Sequence, residues 1–136
     1  GLRDYGYTTA PLALGGRLLV EVGMPDALVI AFDGKTGEEV WKSERGGFAG
    51  HTGGLVPTET PNGPAVAVLA LREFALVETG PGRGGKTAGL FPWESGFANN
   101  VQTPAVAGSS AFVTSYHTHR AIRRLDLKSS EEGGTL

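Results

Sequence analysis

The sequence predicts an all-β chain assembled from repeated four-stranded antiparallel units, and three observations carry that expectation. Twenty-two glycines and eight prolines are scattered between short apolar runs, the pattern of many strands joined by turns. No stretch sustains a helical apolar period. The order of runs and turns also recurs, with Pro11 and Pro104, Gly15 and Gly108, and Val20 and Val113 paired at one constant offset.

The first unit covers residues 5–45, with strands expected over Thr8–Leu14, Arg17–Val22, Ala27–Phe32 and around Val40–Lys42. Gly15-Gly16 is a tight hairpin signal, residues 23–26 form a longer turn, and Asp33 to Gly37 make a glycine-closed loop. In the second strand Leu18, Val20 and Val22 share one side and Arg17, Leu19 and Glu21 the other. The second unit, residues 50–95, repeats the order with Gly53–Thr58, Ala65–Leu71, Phe74–Thr79 and Phe91–Glu94. The third, residues 99–128, offers Thr103–Ala107, Ala111–Tyr116 and Ala121–Leu127, followed by a polar tail over 129–136 expected to fray or to act as a linker. Short strands in fours at a period of about 45 to 50 residues are the signature of propeller blades. The chain therefore reads as a single segment of an incomplete β-propeller. Closed propellers need at least about four blades, so the remaining blades are expected from the parent chain or a second subunit. An exposed strand edge at either end is expected to promote self-association.

Composition narrows the function. A chain of 136 residues with 40% apolar content supports one modest core. Twelve basic and fourteen acidic residues give a net charge of −2, which excludes the strong basic field of a nucleic-acid binder. There is no cysteine, so disulfides and thiolate metal sites are excluded. The longest apolar run, Ala65 to Leu71, falls far short of the roughly 20 residues of a membrane-spanning helix. Gly1 is preceded by neither methionine nor an apolar leader, and a processed or excised segment is expected.

Ala31-Phe32-Asp33-Gly34-Lys35-Thr36-Gly37-Glu38-Glu39-Val40-Trp41 resembles the tryptophan-docking motif of PQQ-repeat, quinoprotein-like propellers. Residues 83–93 repeat its Gly89 and Trp93, with Arg83 in place of the alanine, and the third unit keeps only Leu125-Asp126. The resemblance implies that Ala31, Gly37, Trp41, Gly89 and Trp93 are structural docking residues, each indole packing flat on the neighbouring blade near a glycine. An indole buries roughly 150 to 250 Å², enough for a strong clamp. It further implies a periplasmic or extracellular protein. The non-catalytic members that help assemble outer-membrane barrels suggest a binding or scaffold module for a protein or a small polar ligand. The quinoprotein dehydrogenases suggest the alternative of PQQ and calcium as cofactors, although the acidic ligands and adjacent cysteines of that chemistry are not visible.

Gly80-Pro81-Gly82-Arg83-Gly84-Gly85-Lys86-Thr87 matches the P-loop pattern. A phosphate cradle needs a helix starting at Lys86, and Gly89 and Pro92 interrupt that segment, so an extended turn is the preferred reading and nucleotide binding the second alternative. His117 and His119, two apart at a strand end, could share a metal with His51, yet a zinc site needs about three or four ligands. Arg120, Arg123 and Arg124 read as a solvated strand edge, and Asp33 as a turn residue bonding nearby amides.

The segments entering each unit hold Tyr5 and Tyr7, then His51 and Thr52, then Asn99 and Asn100, while the loops joining second and third strands hold Asp26, His117 and His119. In a propeller these would converge at one mouth of the channel. Tyr7, His51, Thr52, Asn99, Asn100, His117 and His119 are thus the candidate ligand face, with no catalytic residue and no metal ligand assigned. The competing reading is that Thr and Asn satisfy turn groups.

Overall fold

A computed structural model describes residues 8–96, 100–115 and 120–127. Eleven strands occupy them: β1 Leu12–Leu14, β2 Arg17–Met24, β3 Ala27–Asp33, β4 Glu39–Lys42, β5 Val56–Thr60, β6 Gly63–Leu69, β7 Glu73–Glu78, β8 Thr87–Pro92, β9 Ala105–Ala107, β10 Ser110–Ser115 and β11 Ala121–Asp126. They form three antiparallel meanders, two of four strands in the orders β1-β2-β3-β4 and β5-β6-β7-β8 and one of three in the order β9-β10-β11. Among the described residues there is no α-helix, and hence no helix long and apolar enough to cross a membrane.

Turn chemistry fixes the registers. Gly15 and Gly16 adopt φ of 57° and 76°, so Leu14 faces Arg17 across the first hairpin, as Thr60 faces Gly63 and Ala107 faces Ser110. Several boundaries differ from the sequence expectation, such as β5 over Val56–Thr60 where Gly53–Thr58 is expected, and two of the differences have a visible cause. The stretch before Leu12 does not pair within its own sheet; Ala10 instead makes a parallel bridge to Gly54 at the start of the second unit. Strand β8 starts at Thr87 rather than Phe91, because its pairing with β7 begins as soon as the glycine-rich loop ends, at Val77 opposite Thr87.

The sheets stack face to face. Strands β6 and β7 are buried on both sides, which explains why they read as continuous apolar runs. Val66, Val68, Ala75 and Val77 pack with Leu19, Val29 and Ala31 of the first sheet. Ala67, Leu69, Phe74 and Leu76 pack with Ala111, Val113 and Leu125 of the third. In β2 it is Leu19 and Glu21, each 1% exposed, that face the second sheet. The more apolar side carrying Leu18 looks outward, with Leu18 at 39% exposure.

Leu76 is fully buried in the middle layer and Ile122 is 73% exposed. Leu76→Ala is therefore expected to lower stability by about 2 to 5 kcal/mol, and Ile122→Ala by less than about 0.5 kcal/mol. Urea denaturation of both variants checks this contrast.

Candidate functional site at the inner ends of the sheets

The segments that enter the three sheets lie side by side and are laced together. Thr8 Oγ1 donates to the carbonyl of His51, and Thr52 Oγ1 to the carbonyl of Val101 at 2.8 Å. The Ala10 amide donates to Gly53 O at 3.2 Å and the His51 amide to Asn100 O at 2.9 Å. Gly54 N donates to Thr103 Oγ1 at 3.0 Å. Thr8 and Thr52 thus each reach the backbone of the following unit, which sets Thr8 level with Thr52, and His51 level with Val101.

Two buried polar side chains hold this lacing. Glu21, projecting from β2, accepts the Gly50 amide at 2.7 Å through Oε1. Asn100, 1% exposed, donates through Nδ2 to the carbonyls of Ala70 at 2.8 Å, Leu71 at 3.1 Å and Trp93 at 2.7 Å. That amide ties the ends of β6 and β8 to the start of the third unit. Asn100 thus lies within the structure instead of on an open ligand face, and the hydroxyl of exposed Thr52 is committed to an inter-sheet bond. His51 is half-buried with its backbone engaged on both sides. Tyr7, Asn99, His117 and His119 fall outside the described residues.

At the outer ends the indoles make the contacts. The ring of Trp41 lies on the backbone of Gly84 in the loop between β7 and β8; a Cβ there would come within 2.5 Å of Nε1. The same loop is clamped to the first sheet, the Glu44 amide donating to Gly85 O at 2.9 Å and Glu44 Oε1 accepting the Thr87 amide at 2.8 Å. Arg17 Nη1 reaches Thr79 O at 3.2 Å beside it. Trp93, 2% exposed, meets the third sheet differently, with Nε1 at 3.4 Å from Thr114 O of β10 and its own carbonyl bonded by Asn100. Ala31 pairs with Trp41 across β3 and β4. Gly37 closes the Asp33 turn at φ 75° with open space around it, and Gly89 sits buried in β8 opposite Leu76.

Arg83, aligned by sequence with Ala31, belongs to that inter-strand loop and not to a strand. The correction has a plain cause: the second unit's loop, residues 79–86, is longer than the first unit's, residues 34–38, so equal spacing to the tryptophan does not mean equal position. Arg83 pairs through Nη2 with Glu78 Oε1 at 2.8 Å, and the carboxylate holds the guanidinium above its ordinary value. The P-loop-like segment is this same loop, and a strand follows it where a phosphate cradle needs a helix.

Asp33 Oδ1 accepts the amides of Lys35 and Thr36, both at 2.8 Å; the Thr36 bond first and the Lys35 bond second hold its carboxyl below the ordinary value. Asp26 is lowered chiefly by its hydrogen bond to Lys42. Arg124 is paired with Asp126 at 2.8 Å on the open strand β11. Among the described residues no three His, Asp or Glu side chains gather around a common point. Calcium takes about six to eight oxygens. Glu21 and Glu78 are already engaged, and Asn100 Oδ1, buried without a partner, is a single oxygen. The described residues therefore do not fit a calcium site. No model of a known protein family matches the chain, and no curated protein matches it significantly.

Sequence reasoning missed Gly84, Glu21 and the structural duty of Asn100. Gly84 carried a signal, a glycine pair in a loop that no phosphate chemistry explained. Glu21 carried a weaker one, an acid on the leucine-bearing side of an alternating strand.

Replacing Asn100 with Ala leaves three carbonyls without their donor and is expected to cost about 1 to 3 kcal/mol, read as a lower denaturation midpoint. Because the folded state lowers the Asp33 and Asp26 carboxyls, their contribution is present above the unfolded values near 3.8 and is lost as pH falls through the lower folded values. Asp33→Asn is expected to flatten that acid loss, measured by denaturation midpoints between about neutral pH and about pH 2.

Proposed function

We propose that the chain is a run of consecutive β-propeller blades of the PQQ-repeat kind, serving as a binding or scaffold module and not as a catalyst. One observation supports this above the others: Thr8 Oγ1 donates to the His51 carbonyl and Thr52 Oγ1 to the Val101 carbonyl, so one sheet-to-sheet step occurs twice in the same direction. Such a repeated step, with the entering segments gathered at one end, is what blades about a common axis require. The docking-like motif over residues 31–41 agrees with it.

The engagement of the polar groups supports a scaffold role. Threonine hydroxyls, the Asn100 amide and the Glu21 carboxylate bond backbone groups, which stiffens the inner ends and positions whatever docks on their loops. The partner is a protein or a small polar ligand, and the compartment, on the resemblance, is periplasmic or extracellular.

Two measurements test this reading. Gly84→Val is expected to displace the Trp41 ring, shift tryptophan emission to longer wavelength and reduce stability by about 1 to 3 kcal/mol; wild-type emission and stability in that variant would refute the docking of blades. Titration with PQQ and calcium is expected to give no saturable quenching of the two tryptophans, and saturable quenching would return the chain to the dehydrogenases.

A further inference from the structure

Each sheet has a face that receives the preceding sheet and a face that packs on the following one. The hairpin registers make equivalent positions identifiable. Leu18 opposite Phe32 in the first sheet corresponds to Ala111 opposite Leu125 in the third, each the first pair beyond the hairpin-closing residue. Ala111 and Leu125 are 0% and 4% exposed beneath the second sheet, whereas Leu18 is 39% exposed. Val20 and Phe32 on the same face are only half-buried. An open groove of about 900 Å³ runs over this face toward the Gly34–Gly37 turn, bounded by Leu18, Phe32 and Asp33.

The opposite kind of face is open at the other end. Ile122, opposite Thr114, occupies in the third sheet the position of Val29, opposite Glu21, in the first. Val29 is 0% exposed and Ile122 is 73% exposed. Phe112, level with fully covered Leu19, is half-buried beside it, and Arg124, opposite Phe112 and ion-paired with Asp126, rims the same face.

We infer that a second copy of this chain covers these faces, the Phe112–Ile122 face of one copy packing head-to-tail on the Leu18–Phe32 face of the next. The inference rests on the reading of the sheets as repeated blades, and the contact continues the two interfaces already present within the chain. Among the described residues there is one open face of each kind, so a copy related by the same sheet-to-sheet step satisfies both. Such a heterologous contact propagates until it closes into a ring.

The test uses the full chain with Leu18→Glu and Ile122→Glu, both at exposed positions, in sedimentation equilibrium. The unmodified chain is expected to associate with rising concentration. Each variant alone is expected to bind itself more than about tenfold more weakly, since a carboxylate would be buried in an apolar contact. An equimolar mixture is expected to form a one-to-one dimer and nothing larger, because each variant retains the face that the other lacks. A monomeric unmodified chain, either variant associating like the unmodified chain, or a mixture that stays monomeric would each overturn the proposal. Tryptophan emission recorded on the same samples separates the two claims: a shielded Trp41 in a monomeric chain removes the second copy as occupant and leaves the blade reading standing.

Discussion

The close approach of an indole to a peptide backbone governs this architecture. Trp41 can lie on the second sheet only because residue 84 has no side chain; any Cβ would meet the ring at less than van der Waals distance. The loop that supplies this glycine is held from both sides by Glu44. The first and second sheets are thus joined on one side by an aromatic wedge and at the entering segments by hydrogen bonds that Thr8 donates and Glu21 accepts. Between those two attachments the apolar faces meet. Between the second and third sheets the pattern differs: Trp93 reaches the Thr114 carbonyl, and Asn100 ties the Trp93 carbonyl to the start of the third unit.

Much of this was legible in the sequence, for a physical reason. Tight turns demand particular residues, so Gly15-Gly16 and Asp33 to Gly37 announced the hairpins, and the strands between them followed. The double burial of β6 was written in its unbroken run of alanine, valine and leucine. Other features depended on neighbours that a linear reading does not supply. Alternation in β2 separated Leu18 from Leu19 correctly but could not say which side would be covered, and the more apolar side proved to be the outward one. The glutamate on the inward side satisfies the amide of Gly50 some distance along the chain, and that pairing exists only once the sheets are stacked.

The inner ends illustrate the same limit. Polar residues recurring at equivalent points of a repeat invite a reading as ligand contacts. Here Thr52 and Asn100 answer to backbone carbonyls of the adjoining unit. Repetition of a residue type reflects repetition of a structural need as readily as convergence on a ligand. The glycine-rich stretch before Lys86 is a parallel case, its composition set by a ring that must lie close and by Arg83, which turns back to neutralise Glu78.

The middle sheet has a further consequence for how the chain reaches its folded state. Among the described residues all strand pairings join neighbours in sequence, so each meander can form early and locally. The second meander, however, emerges with both surfaces water-averse, Val66 and Val68 on one side and Leu69 and Leu76 on the other. Until its flanking layers arrive it is a flat, sticky template for strands of other molecules. Synthesis from the amino terminus supplies the first layer beforehand, so that one of the two surfaces has its cover waiting when the template emerges.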